Sequence, residues 1–314
     1  MASIPNIGDL SNKVAIVTGA SSGVGRAIAE AFAAAGAFIV SADLTPNPPT
    51  APIFAQTMKE SGIDITTSTV DLLNDRFPAP ESSFVAASAA TLPSRAIFVQ
   101  CNVSSSDSVR GAVATAVQTY GRLDIMVNNA GISAIIKSAS FQAGGLCRPH
   151  EVEDEVFDKD MAVNVRGVWL GTKHAAAQFL AQPAHSSSDR GWIINICSVS
   201  GLVATLAAAS YTASKGAVLQ LTKATALDYA SEKIHVNCIN PGWVDTAMLE
   251  PMRAKAGGDI ALVEAQMARL RALHPWGRLA RPDDIAKMAV FLAGPGSSFC
   301  TGQAYVIDGG YTAQ

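Results

Sequence analysis

The sequence predicts a single α/β domain, a doubly wound, mostly parallel sheet with helices on both faces. Three observations predict it. Short runs rich in Val and Ile alternate with helical patterns along nearly the whole chain, and such alternation implies right-handed crossovers and a parallel sheet covered on both sides. The first of these runs ends in a glycine-rich turn, TGASSGVG at 18–25, directly before an apolar helix. The second ends in an acid, Asp43.

The elements follow in order. KVAIVTG (13–19) is apolar and ends in Thr-Gly, so it reads as a buried strand. The helix after it carries Ile28 and Phe32 on one face, with Gly36 at its C-terminal end. FIVSAD (38–43) and AIFVQCNV (96–103) are the second and third strands. SDSVRGAVATAVQTYG (106–121) opens with Ser and Asp and closes with Gly, the punctuation of a helix. LDIMVNNAG (123–131) is the fourth strand, and a long helix runs from about Glu153 to Leu180. GWIINICS (191–198) is the fifth strand, followed by a helix that contains Tyr211. HVNCINPG (235–242), a helix near 282–293 and AYVIDGG (304–310) complete the chain.

Two segments interrupt this rhythm. Residues 45–95 are rich in Pro, Ser, Thr and Ala. We expect one helix near 52–61, then a solvated insertion over 62–95. Residues 133–152 form a long loop leaving the carboxyl end of the fourth strand, where open α/β sheets bind ligands. No break in composition marks a second domain, so residues 1–314 are read as one cofactor-binding and catalytic unit.

Composition removes several classes of function. A formal net charge of -3 offers no electrostatic footprint for nucleic acid or an anionic membrane. The five cysteines are scattered without a CxxC, so neither a disulfide framework nor a metal site is expected, and a reducing, cytoplasmic setting fits. The N-terminus lacks an apolar signal core, and no apolar run approaches the roughly 18 residues of a membrane span.

The glycine turn carries the first functional hint. Gly19, Gly23 and Gly25, with Ser21, Ser22 and Val24 among them, would let backbone N–H groups approach a pyrophosphate at a helix N-terminus. Asp43 stands 18 residues after Gly25, where an acid would hold adenine ribose hydroxyls. The second hint is SYTASKGAV (210–218): Tyr211 and Lys215 lie four apart, on one helix face. They could be a half-buried Tyr beside a snorkelling Lys. They could also be a proton-exchanging pair, because a nearby positive charge favours phenolate. The pair alone does not choose.

The order and spacing of TGASSGVG, NNAG (128–131), YTASK and PGWVDT (241–246) resemble the short-chain dehydrogenase/reductase family, over nearly the whole chain from Lys13 to about Gly310. The resemblance implies a Rossmann-type fold and four catalytic residues. Ser198, 13 residues before Tyr211, matches the catalytic Ser, and Asn164 on the long helix matches the fourth member. Tyr211 is then the general acid/base. Lys215 lowers its pKa and holds the nicotinamide ribose, Ser198 binds the substrate oxygen, and Asn164 holds a water that links Lys215 to solvent. The cofactor site implied takes in Asn102, Val103, Asn129, Ala130, Gly131, Pro241, Gly242, Val244 and Thr246. Asn102 replaces the family's usual Asp, and both unusual segments are longer than the family's norm.

Asp43, with no Lys or Arg at 20–22 or 44–46, points to NAD rather than NADP, and Arg26 is expected to point elsewhere. We expect oxidation of a secondary alcohol to a ketone on an apolar small molecule such as a terpenoid, a steroid-like or a polyketide-derived compound. A ketone or 3-oxoacyl reductase and a non-catalytic dinucleotide-bound sensor or scaffold are the alternatives. Residues 246–276 are the expected substrate lid, whose Met- and Leu-rich positions suit either an adaptable binding surface or plain core. A homodimer or homotetramer is expected to form through the long helix and the Tyr211 helix.

Overall fold

The computed structural model describes residues 6–48, 66–80, 94–144, 147–254 and 259–314. Its centre is a seven-stranded, all-parallel sheet in the order β3-β2-β1-β4-β5-β6-β7. The strands are β1 Val14–Thr18, β2 Phe38–Asp43, β3 Ala96–Gln100, β4 Ile125–Asn128, β5 Gly191–Ile196, β6 Ile234–Pro241 and β7 Ala304–Ile307. Six lie inside the apolar runs expected for them, and β6 begins one residue before its run, at Ile234. Side chains alternate between the two faces, as strand geometry requires. Ala15, Val17, Ile125, Val127 and Ile194 pack in one layer, and Val14, Ile16, Met126 and Ile193 in the other.

Helix α1 (Gly23–Ala34) buries Ile28, Ala29 and Phe32 in the first layer. The second layer is covered by the helix Ser106–Tyr120, which Ser105 caps, and by the helix Gly167–Ala181 through Leu170 and Phe179. The late helix is Pro282–Ala293, and its Ile285, Ala289 and Leu292 return to the first layer beside α1.

Three expectations need correction. The stretch expected to be solvated after residue 61 contains α2 (Thr69–Arg76), whose Thr69 and Leu73 are fully buried. Thr69 Oγ1 donates to Ala20 O at 2.8 Å, which ties this helix to the glycine turn. The helix expected near 52–61 falls outside the described residues. Nor is 133–152 simply a loop. It contains helical turns at Ala134–Lys137, Ala139–Gln142 and Pro149–Glu151, and Ile135 and Cys147 form a small buried cluster with Val156.

The long helix after it is not uniform. It comprises α4 (Asp154–Asp160), a π-helical segment Met161–Arg166, and α5 (Gly167–Ala181); α3 is Ser106–Tyr120. Helix α6 (Ala209–Asp228) buries Ser214, Lys215, Val218, Leu219 and Thr222, a stripe at helical spacing. Helices α7 (Ile260–Ala272) and α8 (Pro282–Ala293) close the fold.

In the expected lid, Leu249, Met267 and Leu270 are core, with Met252 packed against them, whereas Met248, Leu273 and Trp276 are exposed. The core reading therefore holds for Leu249, Met267 and Leu270.

Candidate active site

The strand order reverses between β1 and β4, and in open α/β sheets ligands bind at such a switch point, beyond the carboxyl ends of the strands. The glycine turn and NNAG meet there. Thr18 Oγ1 accepts from the N–H of Asn129 (2.9 Å) and Ala130 (3.0 Å) and donates to Val127 O. Asn129 Nδ2 donates to Thr18 O at 2.8 Å and Gly19 O at 3.2 Å. Gly19 has φ +65, and a Cβ on Gly25 would sit 2.2 Å from Gly19 O, so a side chain at Gly25 has no room.

Ser22 is the N-cap of α1 but makes no side-chain cap bond, and no acid stands in the first turn. That leaves the helix N-terminus, with its unpaired N–H groups and positive dipole end, open to an anion such as a pyrophosphate. Among the expected dinucleotide residues, Asp43 is tied directly to this turn. Asp43 Oδ2 accepts from Ser21 N at 2.9 Å and Oδ1 from Leu44 N at 2.7 Å. The carboxylate is thus fixed at the rim, and Ser21 Oγ holds Thr45 O. Val24 packs against the first core layer and Val103 against Gly167. Asn102 Oδ1 accepts from Ser104 N–H and Oγ–H.

The chain after β6 arches back toward the turn. Gly242 N donates to Ile307 O, Val244 bridges Ala280, and the Thr246 methyl lies against Gly23, with Pro241 ending the strand. Arg26 does point elsewhere: its guanidinium bonds Glu30 and Thr67 O. The site therefore has the form a dinucleotide needs: a cradle with no room for a Cβ, a helix N-terminus without a side-chain cap, and a fixed carboxylate at its rim.

The four expected catalytic residues come together beside it. Lys215 is 5% exposed; its Nζ donates to Ile196 O at 2.9 Å and lies 5.7 Å from the centre of the Tyr211 ring. Gly131 is packed so close that a Cβ there would lie 3.5 Å from Lys215 Nζ and 3.3 Å from Asn164 Oδ1. Ser198 lies two residues past the end of β5, with its carbonyl held by Asn240 Nδ2 at 2.7 Å and its Oγ accepting from Ser200 N.

One expected influence changes. Lys215 was expected to depress the Tyr211 pKa. Instead burial pushes the phenol up to about 12, with the Ser198 hydrogen bond pulling it down and the Cys197 and Asp160 charges adding to the rise. Burial in turn lowers the Lys215 ammonium, since desolvation disfavours its charged form. The side chain of Asn164 is occupied structurally: its Oδ1 accepts from Ile132 N, and its Nδ2 donates to Ile132 O and to Ser214 Oγ at 3.0 Å.

The sequence reading missed a set of supporting polar residues. Asn128 Nδ2 donates to Asn195 Oδ1 (2.9 Å), and Asn195 Nδ2 to Thr222 Oγ1 (2.9 Å), a buried polar chain from β4 through β5 to α6. Asp160, fully buried, accepts from Ala134 N (2.9 Å) and Ser210 Oγ (2.7 Å). Thr18, just before Gly19, was the one with a visible signal.

Comparison with known proteins agrees with this geometry. Residues 13–79 match the family described as short chain dehydrogenase, and residues 51–312 match the one described as Enoyl-(Acyl carrier protein) reductase. The chain is 35% identical over 302 residues to 2-(R)-hydroxypropyl-CoM dehydrogenase of Xanthobacter autotrophicus, covering 96% of this chain and 99% of the relative. It is 33% identical over 304 residues to 3beta-hydroxysteroid dehydrogenase 2 of Eggerthella lenta, covering 97% and 96%. A crystal structure of a short-chain type dehydrogenase/reductase from Mycobacterium marinum superimposes with a TM-score of 0.73 at 29% identity, covering 98% of both chains. The chain thus belongs to the short-chain dehydrogenase/reductase family, oxidoreductases that act on CH–OH groups with a nicotinamide dinucleotide.

Proposed function

We propose that the protein oxidises a secondary alcohol on an apolar small molecule to the ketone, reversibly, with NAD. The observation that carries this reading is the convergence of Tyr211, Ser198 and the buried Lys215 at the carboxyl ends of β4 and β5. Ser198 hydrogen-bonds the substrate oxygen, where negative charge develops. Tyr211 takes the hydroxyl proton in oxidation and returns it in reduction. Lys215 places its positive charge beside the phenol. When bound, the dinucleotide supplies the hydride acceptor and, oxidised, a positive ring that favours loss of the Tyr211 proton. Gly19, Gly25 and the α1 N-terminus hold its pyrophosphate, Asp43 its adenine ribose, and Lys215 its nicotinamide ribose. A phenol raised to about 12 is protonated at neutral pH, so the same site is also well set to protonate a ketone oxygen in the reverse direction.

An apolar substrate is supported by Leu202, Val203 and Leu206, which stand exposed between Ser198 and Tyr211, and by exposed Met248 in the lid. Two relatives carry names for secondary-alcohol chemistry, one on a hydroxypropyl chain and one on a steroid ring. No described helix is long and apolar enough to cross a membrane. Self-association is supported by half-exposed Trp169 on α5, beside a groove of ≈ 470 Å³ lined by Met161, Val165, Trp169 and Leu221. The deciding test is a screen of cyclic and acyclic secondary alcohols and ketones with NAD(H) and NADP(H), followed at the nicotinamide absorbance. Turnover of an apolar alcohol that disappears in Tyr211→Phe supports the reading. Turnover that survives in Tyr211→Phe refutes it.

A further inference from the structure

Two acceptor side chains project from the α4–π junction, four residues apart, and each ties the chain after β4 to α6. Asn164 holds both backbone groups of Ile132 and, on its other side, Ser214 Oγ. Asp160 holds Ala134 N on one side and Ser210 Oγ on the other. The two serines are also four apart, and each immediately precedes a catalytic residue: Ser210 before Tyr211, and Ser214 before Lys215. The two ties form a ladder with the catalytic helix as one rail. Asn164 is the rung that the family resemblance already identifies. Asp160 is not among the residues that the resemblance assigns, and it differs from Asn164 in bringing a formal charge into a fully buried place.

We propose that Asp160 is a positioning residue for the reaction: it anchors the start of α6 at Ser210, fixes the loop at Ala134, and supplies the buried negative charge that balances Lys215. The charge is needed on elementary grounds. An ammonium that is 5% exposed and, among the described residues, hydrogen-bonded to the carbonyl of Ile196 alone is costly without a counter-charge. The groups acting on Lys215 are Cys197, Asp160 and Cys238, and Asp160 is the carboxylate among them. Around Tyr211 the acting groups are Ser198, Cys197 and Asp160. Around Asp160 they are the Ala134 N–H, Ser210 and Lys215. Burial raises the Asp160 carboxyl, while its two hydrogen bonds and Lys215 favour the ionised form.

The signs of the consequences follow. The Asp160 charge raises both Tyr211 and Lys215. Asp160→Asn keeps an acceptor for Ala134 and a donor for the Ser210 hydroxyl but removes the charge. Both groups then lose their protons at lower pH. The bell-shaped kcat profile for alcohol oxidation, whose two limbs belong to the coupled Tyr211–Lys215 pair rather than to either residue alone, moves down by about half a unit to one unit. Ser210→Ala does the converse: it deletes the tie and keeps the charge, so kcat falls about threefold or more while both limbs stay in place.

The test is kcat against pH for wild type, Asp160→Asn and Ser210→Ala, using the best alcohol from the screen above. Phenolate absorbance, as the difference between each protein and its Tyr211→Phe counterpart, reads the Tyr211 shift without turnover. Limbs displaced downward together in Asp160→Asn, and unmoved in Ser210→Ala, support the proposal. Limbs of Asp160→Asn that coincide with wild type overturn the charge, and a Ser210→Ala kcat equal to wild type overturns the tie. Should Asp160→Asn fail to fold, Ser210→Ala still decides the tie, and Asp160→Glu, which keeps the charge, must then fold with the wild-type limbs or the charge is refuted. The inference rests on the roles given to Tyr211 and Lys215. Those fail separately, through activity in Tyr211→Phe.

Discussion

Cofactor choice should turn on Asp43. Both oxygens of its carboxylate are held by backbone amides, Ser21 at 2.9 Å and Leu44 at 2.7 Å, so it cannot swing away from an incoming phosphate. Two unit charges about 4 Å apart repel by about 4 kcal/mol at an effective dielectric near 20, which is a scale and not a value for this pair. The side chain is only partly buried, so solvent and salt screen the repulsion. A quarter to a half of the scale, about 1–2 kcal/mol, corresponds to roughly five- to thirtyfold in favour of NAD over NADP. Asp43→Ala removes the repulsion together with the ribose hydrogen bond. Its kcat/KM with NAD should fall several-fold, and the ratio between cofactors should narrow by about tenfold. Asp43→Asn keeps an acceptor for the turn and separates charge from geometry. The assay is kcat/KM for both cofactors in the three proteins, at fixed low salt. A wild type that prefers NADP, or one ratio shared by all three, refutes the reasoning.

Other outcomes follow from the same structure. On the proposed reading, in which one ammonium serves both, Lys215→Ala should weaken dinucleotide binding as well as kcat. A loss confined to kcat, by binding titration against turnover, would remove the ribose contact. Lys13 sits 3.3 Å over the Trp192 ring and donates to Ala293 O, and burial lowers its pKa to about 8, against 10.5 when free. From about pH 8 to 10.5 the unfolded chain binds more protons at Lys13 than the folded one, so this residue makes stability rise with pH there. Lys13→Met should flatten that rise in thermal melts, and identical slopes would count against the shift. Wild type should scatter light as a dimer or tetramer at micromolar concentration and Trp169→Glu as a smaller species; a monomeric wild type removes the assembly reading.

The strands were legible because buried parallel strands are runs of Val and Ile, a signal that needs no tertiary context. The glycine turn was legible for the same reason: Gly25 is dictated by backbone a few residues away. Helix α2 was hidden by its composition, since TVDLLNDR buries only Thr69 and Leu73. Its start was nevertheless marked by Ser68, which caps Asp71 N. The π segment has no local signature. Asp160 carries no local signal, because its partners Ala134 and Ser210 are distant in sequence. The Tyr211 pKa was misjudged because spacing reveals the neighbour, Lys215, and not the desolvation that outweighs it.

The buried chain from Asn128 through Asn195 to Thr222 also bears on how the sheet assembles. Asn128 and Asn195 are partners in the β4–β5 register, side by side in the core. If β5 slid by one residue, Asn195 would turn to the opposite face and an Ile would stand in its place. Several amide atoms would then be buried without partners, at about 1–3 kcal/mol each. Neighbouring Val and Ile residues tolerate one another in almost any alignment and cannot impose such a cost. The amide pair acts as a proofreading device during folding. It rejects shifted sheets before Ser198, two residues past β5, can be carried out of line with Tyr211.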